Sequence, residues 1–170
     1  MLEDRNREYQ GEPMEPVTTP IRNAVRALIL RDEHILLLRK DGTDQGERFA
    51  LPGGGQDPGE TLEQALMREC GEEIGSRVEI RELVCVADCF KPRGTAPVTT
   101  RHLVEFLFMC TVPDDYVPVN GHHPDKHQVE VIWARLDALA GMPLYPRSLR
   151  PYLGSFSERA DSVYQGTLDW

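Results

Sequence analysis

The chain has 170 residues, 40% of them apolar and 28% charged, and a net charge of -9. That length supports one domain with a sizeable core and is short for two, and the composition is ordinary for a soluble globular protein. The acidic balance repels a polyphosphate backbone, so nucleic acid is not an expected partner, although a local cation site could still accept a small anionic ligand.

Residues 1–19 are polar and proline-bearing, and are expected to form a flexible arm or an added edge strand. They contain no apolar stretch of the kind a secretory signal needs. The longest mostly apolar run, Leu103 to Val112, is interrupted by Glu105 and falls short of the ~20 residues of a membrane helix. A cytoplasmic location without a membrane partner is the expectation.

Arg22 to Leu30 and Ile35 to Arg39 are rich in branched residues and flank the polar stretch Arg31 to His34, which predicts a β-hairpin. Asp41 to Glu47 reads as a loop and Arg48 to Leu51 as a short strand. The run Pro52-Gly53-Gly54-Gly55-Gln56-Asp57-Pro58-Gly59 is dominated by turn formers. A helix follows: Thr61 and Gln64 form a capping box, Leu62, Leu66, Cys70 and Ile74 give an apolar stripe, and Gly75 gives a stop.

Val78 to Phe90 and His102 to Val112 read as longer strands joined by a polar loop, Lys91 to Thr100. Asp114 to Lys126 is a second loop, and Gln128 to Ala134 a strand ending near Trp133. Leu136 to Ala140 suits a short helix. A last helix is expected from Ser148, carrying Leu149, Tyr152, Leu153 and Phe156, with a polar, mobile tail over 158–170. Strands mixed with few helices predict an α/β domain around a mixed sheet, over residues 20–157. Cys70, Cys85, Cys89 and Cys110 make no CxxC pair and are expected to be free buried thiols.

The chemistry concentrates in Arg68-Glu69-Cys70-Gly71-Glu72-Glu73. At ~100° per residue, Glu69, Glu72 and Glu73 fall on one side of a helix, near its apolar stripe. Like charges ~4 Å apart repel by about 1 kcal/mol in water and about 4 at an effective dielectric of 20. Arg68 can neutralise one carboxylate. The remainder are hard oxygen donors suited to magnesium or manganese. A solvated acidic helix face is the plain alternative, and the glycine loop weighs against it, because Gly53, Gly54 and Gly55 let backbone approach an ion or a phosphate closely.

Gly54, five residues, Glu60, seven residues, Arg68-Glu69-Cys70, one residue, Glu72-Glu73, one residue, Gly75-Ser76 resembles the Nudix box, led in by Leu51-Pro52-Gly53. Cys70 and Ser76 stand where aliphatic residues are usual. The resemblance implies the Nudix fold, an α/β/α sandwich around a mixed β-sheet. It further implies a pyrophosphohydrolase that cuts the diphosphate linkage of a nucleoside diphosphate joined to another moiety, such as ADP-ribose or a nucleotide sugar, and releases a nucleoside monophosphate. The implied metal is Mg2+, with Mn2+ as the alternative. Its implied ligands are Glu69, Glu72, Glu73 and the Gly54 carbonyl.

By the same resemblance, Glu69 could instead orient or deprotonate the attacking water, Arg68 would fix a glutamate rotamer, and Glu60 would support the helix start or coordinate the metal through water. An acidic residue outside the box is often added; Glu130 and Asp125 are candidates, with Gln128 as a rival occupant. Arg39 and Lys40 end a strand just before the box and are candidates for substrate phosphates, as are Lys91, Arg93 and Arg101 around the later loop. Phe49, Phe90 and Trp133 are candidate stacking residues, although Trp133 suits core packing better. Pro92 stands where some members acting on ADP-ribose or nucleotide sugars carry a proline. His122, His123 and His127 lack zinc spacing, and a polar substrate lid suits their loop better. Many relatives dimerise, so a homodimer is an expectation. The rival function is a non-catalytic module that binds a nucleotide for regulation; intact glutamates argue against it.

Overall fold

The computed structural model describes residues 20–42, 46–93, 99–147, 153 and 162–168. β1 (Arg22–Arg31) and β2 (His34–Lys40) form the expected hairpin. Asp32 and Glu33 both take positive φ, 45° and 61°, as a two-residue turn that follows strand twist requires. β3 (Arg48–Ala50) pairs antiparallel with β2. α1 (Leu62–Ile74) starts at Thr61 with both halves of the capping box made, and ends at Gly75 in the left-handed conformation.

β4 (Glu79–Arg93) and β5 (Thr99–Thr111) form a long antiparallel pair, and β5 also runs parallel to β1. β6 (Gln128–Arg135) pairs with β2, and β7 (Leu144–Tyr145) runs parallel to β3. A 3-10 helix, Leu136–Gly141, follows β6 where a short helix is expected. β8 (Tyr164–Leu168) runs parallel to β4. The sheet is therefore mixed, in the order β7-β3-β2-β1-β5-β4-β8, with β6 added to β2.

Alternation along β1 and β2 divides the core. Val25, Ala27, Ile29, Leu36 and Leu38 meet Ala65, Leu66, Cys70 and Ile74 of α1. Leu28, Ile35 and Leu37 meet Phe49, Leu51, Leu139, Leu144 and Leu153 on the other face. Burying these apolar faces supplies the main favourable term of folding. All four cysteines are free and buried, as expected.

Three expectations change. Both described ends of the loop assigned to Lys91–Thr100 are strand: the ladder continues through Lys91↔Arg101, Pro92↔Thr100 and Arg93↔Thr99. Backbone pairing extends the hairpin even though its side chains have turned polar. The tail expected to be mobile carries β8, which pairs with β4 and buries Leu168 to 1% exposure. β7 is an added short strand. The N-terminal arm and most of the expected final helix lie outside the described residues; Leu153 is buried in the second core. No helix among the described residues is long and apolar enough to cross a membrane.

Candidate active site

The glycine loop runs along the edge of β1 that β2 leaves unpaired. Val25 N–H donates to the Gly54 carbonyl at 2.9 Å, Ala27 N–H to the Pro52 carbonyl at 2.8 Å, and Ala24 bridges to Gly55. Gly53 takes φ 127°, and a Cβ there would stand 2.1 Å from the Val25 carbonyl oxygen. Only glycine fits that approach. At Gly54 the obstruction is the Glu69 carboxylate, whose Oε1 would lie 2.4 Å from an added Cβ. The loop thus packs directly against the acidic helix.

Gly53, Gly54, Gly55, Glu69, Glu72, Glu73, His123, Pro124, Asp125 and Lys126 line one cleft of about 350 Å³. The three glutamates therefore share a cleft, and each is held differently. Glu73 is 2% exposed and accepts the Gly53 N–H at 2.7 Å. Burial pushes its carboxyl up to about 7, against the opposing effects of Lys40, the Gly53 N–H and Arg26. Burial also raises Glu69, with Arg68 pulling the other way.

Arg68 links the group. Its Nε and Nη2 grip Glu60 at 2.7 and 3.0 Å, its Nη1 reaches Glu69 at 3.0 Å and Glu72 at 3.6 Å, and Nη2 also donates to the Gly55 carbonyl at 3.0 Å. The hydrogen bond from Arg68 holds the Glu60 carboxyl below its usual range. Glu60 and Arg68 thus tie the loop to the helix start.

Residues 113–128 do more than line the cleft through His123 to Lys126: they bind the end of α1. Gly121 N–H donates to the Glu73 carbonyl and His123 N–H to the Glu72 carbonyl, both at 3.0 Å. The Gln128 amide reaches the Glu73 carbonyl at 2.8 Å, and the Tyr116 hydroxyl reaches the Ile74 carbonyl at 2.9 Å. These donors occupy carbonyls that a helix end leaves without internal partners. The segment expected as a substrate lid is thereby pinned to the acidic helix.

The other candidates separate. Lys40 is buried and paired with Asp125, which lines the cleft. Burial pushes the Asp125 carboxyl up, but Lys40 outweighs it and leaves the carboxyl lowered. Arg39 and Glu130 face each other across β2 and β6 at 2.7 Å, with Glu47 3.1 Å from Arg39, and none of the three lines the cleft. Phe49 is 6% exposed in the second core, which removes it as a stacking platform: β3 turns its ring inward against Leu51 and Leu144.

Phe90 stacks on His102, ring centroids 4.5 Å apart, and Trp133 packs at the first core beneath the Arg31 guanidinium, 4.9 Å from the ring. The Arg93 backbone pairs with Thr99; its side chain lies outside the described residues. Lys91 is lowered to about 8 by burial and by the neighbouring cations Arg26, Arg48, Lys40 and Arg101.

A family model of the NUDIX domain matches residues 20–153. The chain belongs to the NUDIX family. It is 32% identical over 123 residues to the nucleoside triphosphatase NudI of Enterobacter sp. (strain 638), covering 68% of this chain and 84% of that protein. It is 34% identical over 91 residues to the ADP-ribose pyrophosphatase of Methanocaldococcus jannaschii, covering 52% of this chain and 50% of that protein.

Among solved structures, a NUDIX hydrolase from Nitrosomonas europaea superposes with a TM-score of 0.65 at 22% identity, over 88% of this chain and 79% of that one. An ADP-ribose pyrophosphatase from Streptococcus suis gives 0.57 at 21% identity, over 87% and 98%. At these identities the likeness shows the fold, which is the expected α/β Nudix fold. As an enzyme the chain is a Nudix hydrolase, acting on a pyrophosphate bond.

Among the described residues no three His, Cys, Asp or Glu side chains converge as a ready metal cage. The donor chemistry nonetheless fits a hard divalent cation: three carboxylates of α1 line one cleft together with Asp125, and burial raises Glu69 and Glu73. Sequence reasoning missed Arg26 and Glu105 as contributors to the loop. Their signal was a single charge within the apolar run of each strand, Arg26 inside Ala24–Leu30 and Glu105 inside Leu103–Cys110.

Proposed function

We propose that this Nudix hydrolase cuts the diphosphate linkage of a nucleoside diphosphate joined to another moiety, with ADP-ribose or a nucleotide sugar as the substrate class, and releases a nucleoside monophosphate. The observation that carries the reading is the shared cleft, where Glu69, Glu72 and Glu73 face the Gly53–Gly55 backbone. The relative named ADP-ribose pyrophosphatase supports that substrate class.

Glu69, Glu72, Glu73 and the Gly54 carbonyl would hold magnesium, with manganese as the alternative. The Gly54 carbonyl already accepts the Val25 N–H and retains a second lone pair. When bound, such an ion supplies neutralisation of phosphate oxygens and a more acidic water. Arg68 holds Glu69 and Glu72 on the cleft side of the helix. The Gly53 N–H fixes the Glu73 rotamer. Asp125, kept ionised by Lys40, lines the same cleft, which Glu130 does not, and is the better-placed acidic residue from outside the box.

The test is a substrate panel with magnesium or manganese: ADP-ribose, nucleotide sugars and nucleoside triphosphates, scored by released monophosphate. Triphosphates belong in it because of the relative named nucleoside triphosphatase. Monophosphate release from ADP-ribose or a nucleotide sugar, abolished in Glu73→Gln, is the expected result. Equal rates for wild type and Glu73→Gln would contradict the mechanism. Tight nucleotide binding with no turnover across the panel would favour the regulatory module.

A further inference from the structure

A half-buried cation, Arg26, and a buried carboxylate, Glu105, interrupt the apolar middles of β1 and β5, and neither lines the cleft. Glu105 in β5 is 0% exposed. Its carboxylate accepts Arg26 Nε at 3.0 Å and Nη2 at 3.4 Å. The third guanidinium nitrogen, Nη1, donates to the Gly53 carbonyl. Gly53 in turn donates its N–H to Glu73 Oε2 at 2.7 Å. A continuous line of contacts therefore runs from Glu105 through Arg26 and Gly53 to Glu73.

As a brace between β1 and β5 alone, this pair gains little. The cost of desolvating two charges roughly cancels their attraction, and apolar residues would join the strands as well. What the pair supplies is a directed donor. The planar guanidinium presents a fixed fork, so anchoring two nitrogens on Glu105 aims the third. The target is the residue that most needs it, since a glycine at φ 127° has a broad choice of conformations.

We propose that Glu105 is a positioning residue of this hydrolase. It aims Arg26 at the Gly53 carbonyl, which orients the residue whose N–H holds Glu73 and places Gly54 against Glu69. Glu105 touches no substrate. The inference rests on reading the cleft as the hydrolytic site.

The test uses the full chain in three forms: Glu105→Gln, Arg26→Lys, and the exchanged pair R26E/E105R. Three properties are read: amide exchange at Gly53 by NMR, without substrate; the thermal midpoint; and kcat and KM separately. In Glu105→Gln and Arg26→Lys, exchange at Gly53 accelerates tenfold or more while the β4–β5 ladder keeps its protection. Over the same variants kcat falls by about tenfold or more, as misplacement of a catalytic group by a fraction of an ångström demands, and KM stays within about twofold.

The exchanged pair separates positioning from bracing. It keeps both charges but has no donor at position 26, so the thermal midpoint recovers while kcat and Gly53 protection do not. Recovery of kcat together with the midpoint would overturn the proposal. So would wild-type protection and kcat in Arg26→Lys, the variant that keeps a cation beside Glu105 if Glu105→Gln fails to fold. Gly53 protection is independent of turnover. Loss of that protection alongside a wild type inactive on every substrate would therefore count against the function proposed for the cleft and leave the Glu105 linkage standing.

Discussion

Replacing Gly54 by alanine places a methyl group where the Glu69 carboxylate now rests. The new Cβ would lie 2.4 Å from Oε1, 2.5 Å from Cδ and 2.7 Å from Oε2 of Glu69. Ordinary contact needs about 3.5 Å, so the carboxylate must retreat by about 1 Å. It can, because it ends a flexible side chain, and Arg68 Nη1 at 3.0 Å would follow or release it. A misplacement of that size costs roughly 100-fold in rate, or about 3 kcal/mol of transition-state stabilisation. Stability should change by no more than about 1 kcal/mol, since alanine also restricts the unfolded chain.

Gly53→Ala is the contrast. Its Cβ would meet the Val25 backbone oxygen at 2.1 Å with φ at 127°, and backbone cannot swing aside, so a loss on the order of 3 kcal/mol in stability is expected. Thermal unfolding and kcat/KM on the best substrate of the panel measure both effects. Near wild-type turnover in Gly54→Ala would refute the placement of Glu69 in the reaction. A stability loss in Gly54→Ala equal to that of Gly53→Ala would refute the distinction between yielding side chain and unyielding backbone.

Thr61→Ala removes the N-cap acceptor of the Gln64 N–H, 3.1 Å away, and should lower stability by about 1 kcal/mol with kcat nearly unchanged, as chemical denaturation and steady-state kinetics would show. Gln128→Ala deletes the donor to the Glu73 carbonyl and to Asn120 Oδ1; a loss of about 1 kcal/mol in unfolding free energy is expected, with kcat falling more than after Thr61→Ala. Glu73 has its carboxyl raised in the folded state, from 4.5 to about 7. Its contribution to stability is therefore fully present below 4.5 and is lost as pH rises through about 7, a span worth about 3 kcal/mol. Thermal midpoints of the metal-free protein across that range should fall with pH more steeply for wild type than for Glu73→Gln, and parallel profiles would remove the basis for the raised carboxyl.

The features readable along the chain were the short-range ones. The capping box of Thr61 and Gln64, the stripe Leu62, Leu66, Cys70 and Ile74, and the stop at Gly75 each depend on neighbours within a turn or two, so α1 and its three glutamates were legible without a fold. The hairpin of β1 and β2 was legible for the same reason. Tertiary structure decided what the charges do. Arg26 meets Glu105 across 79 residues because β1 and β5 run parallel in a particular register. Residues 113–127 cap α1 because β6 returns to β2, and that same pairing sets Arg39 against Glu130. β8 shows little apolar pattern of its own, and forms because β4 offers an unpaired edge and a core position for Leu168. Periodicity is a property of neighbours along the chain, whereas partnership between distant charges exists only once strand register has brought them together.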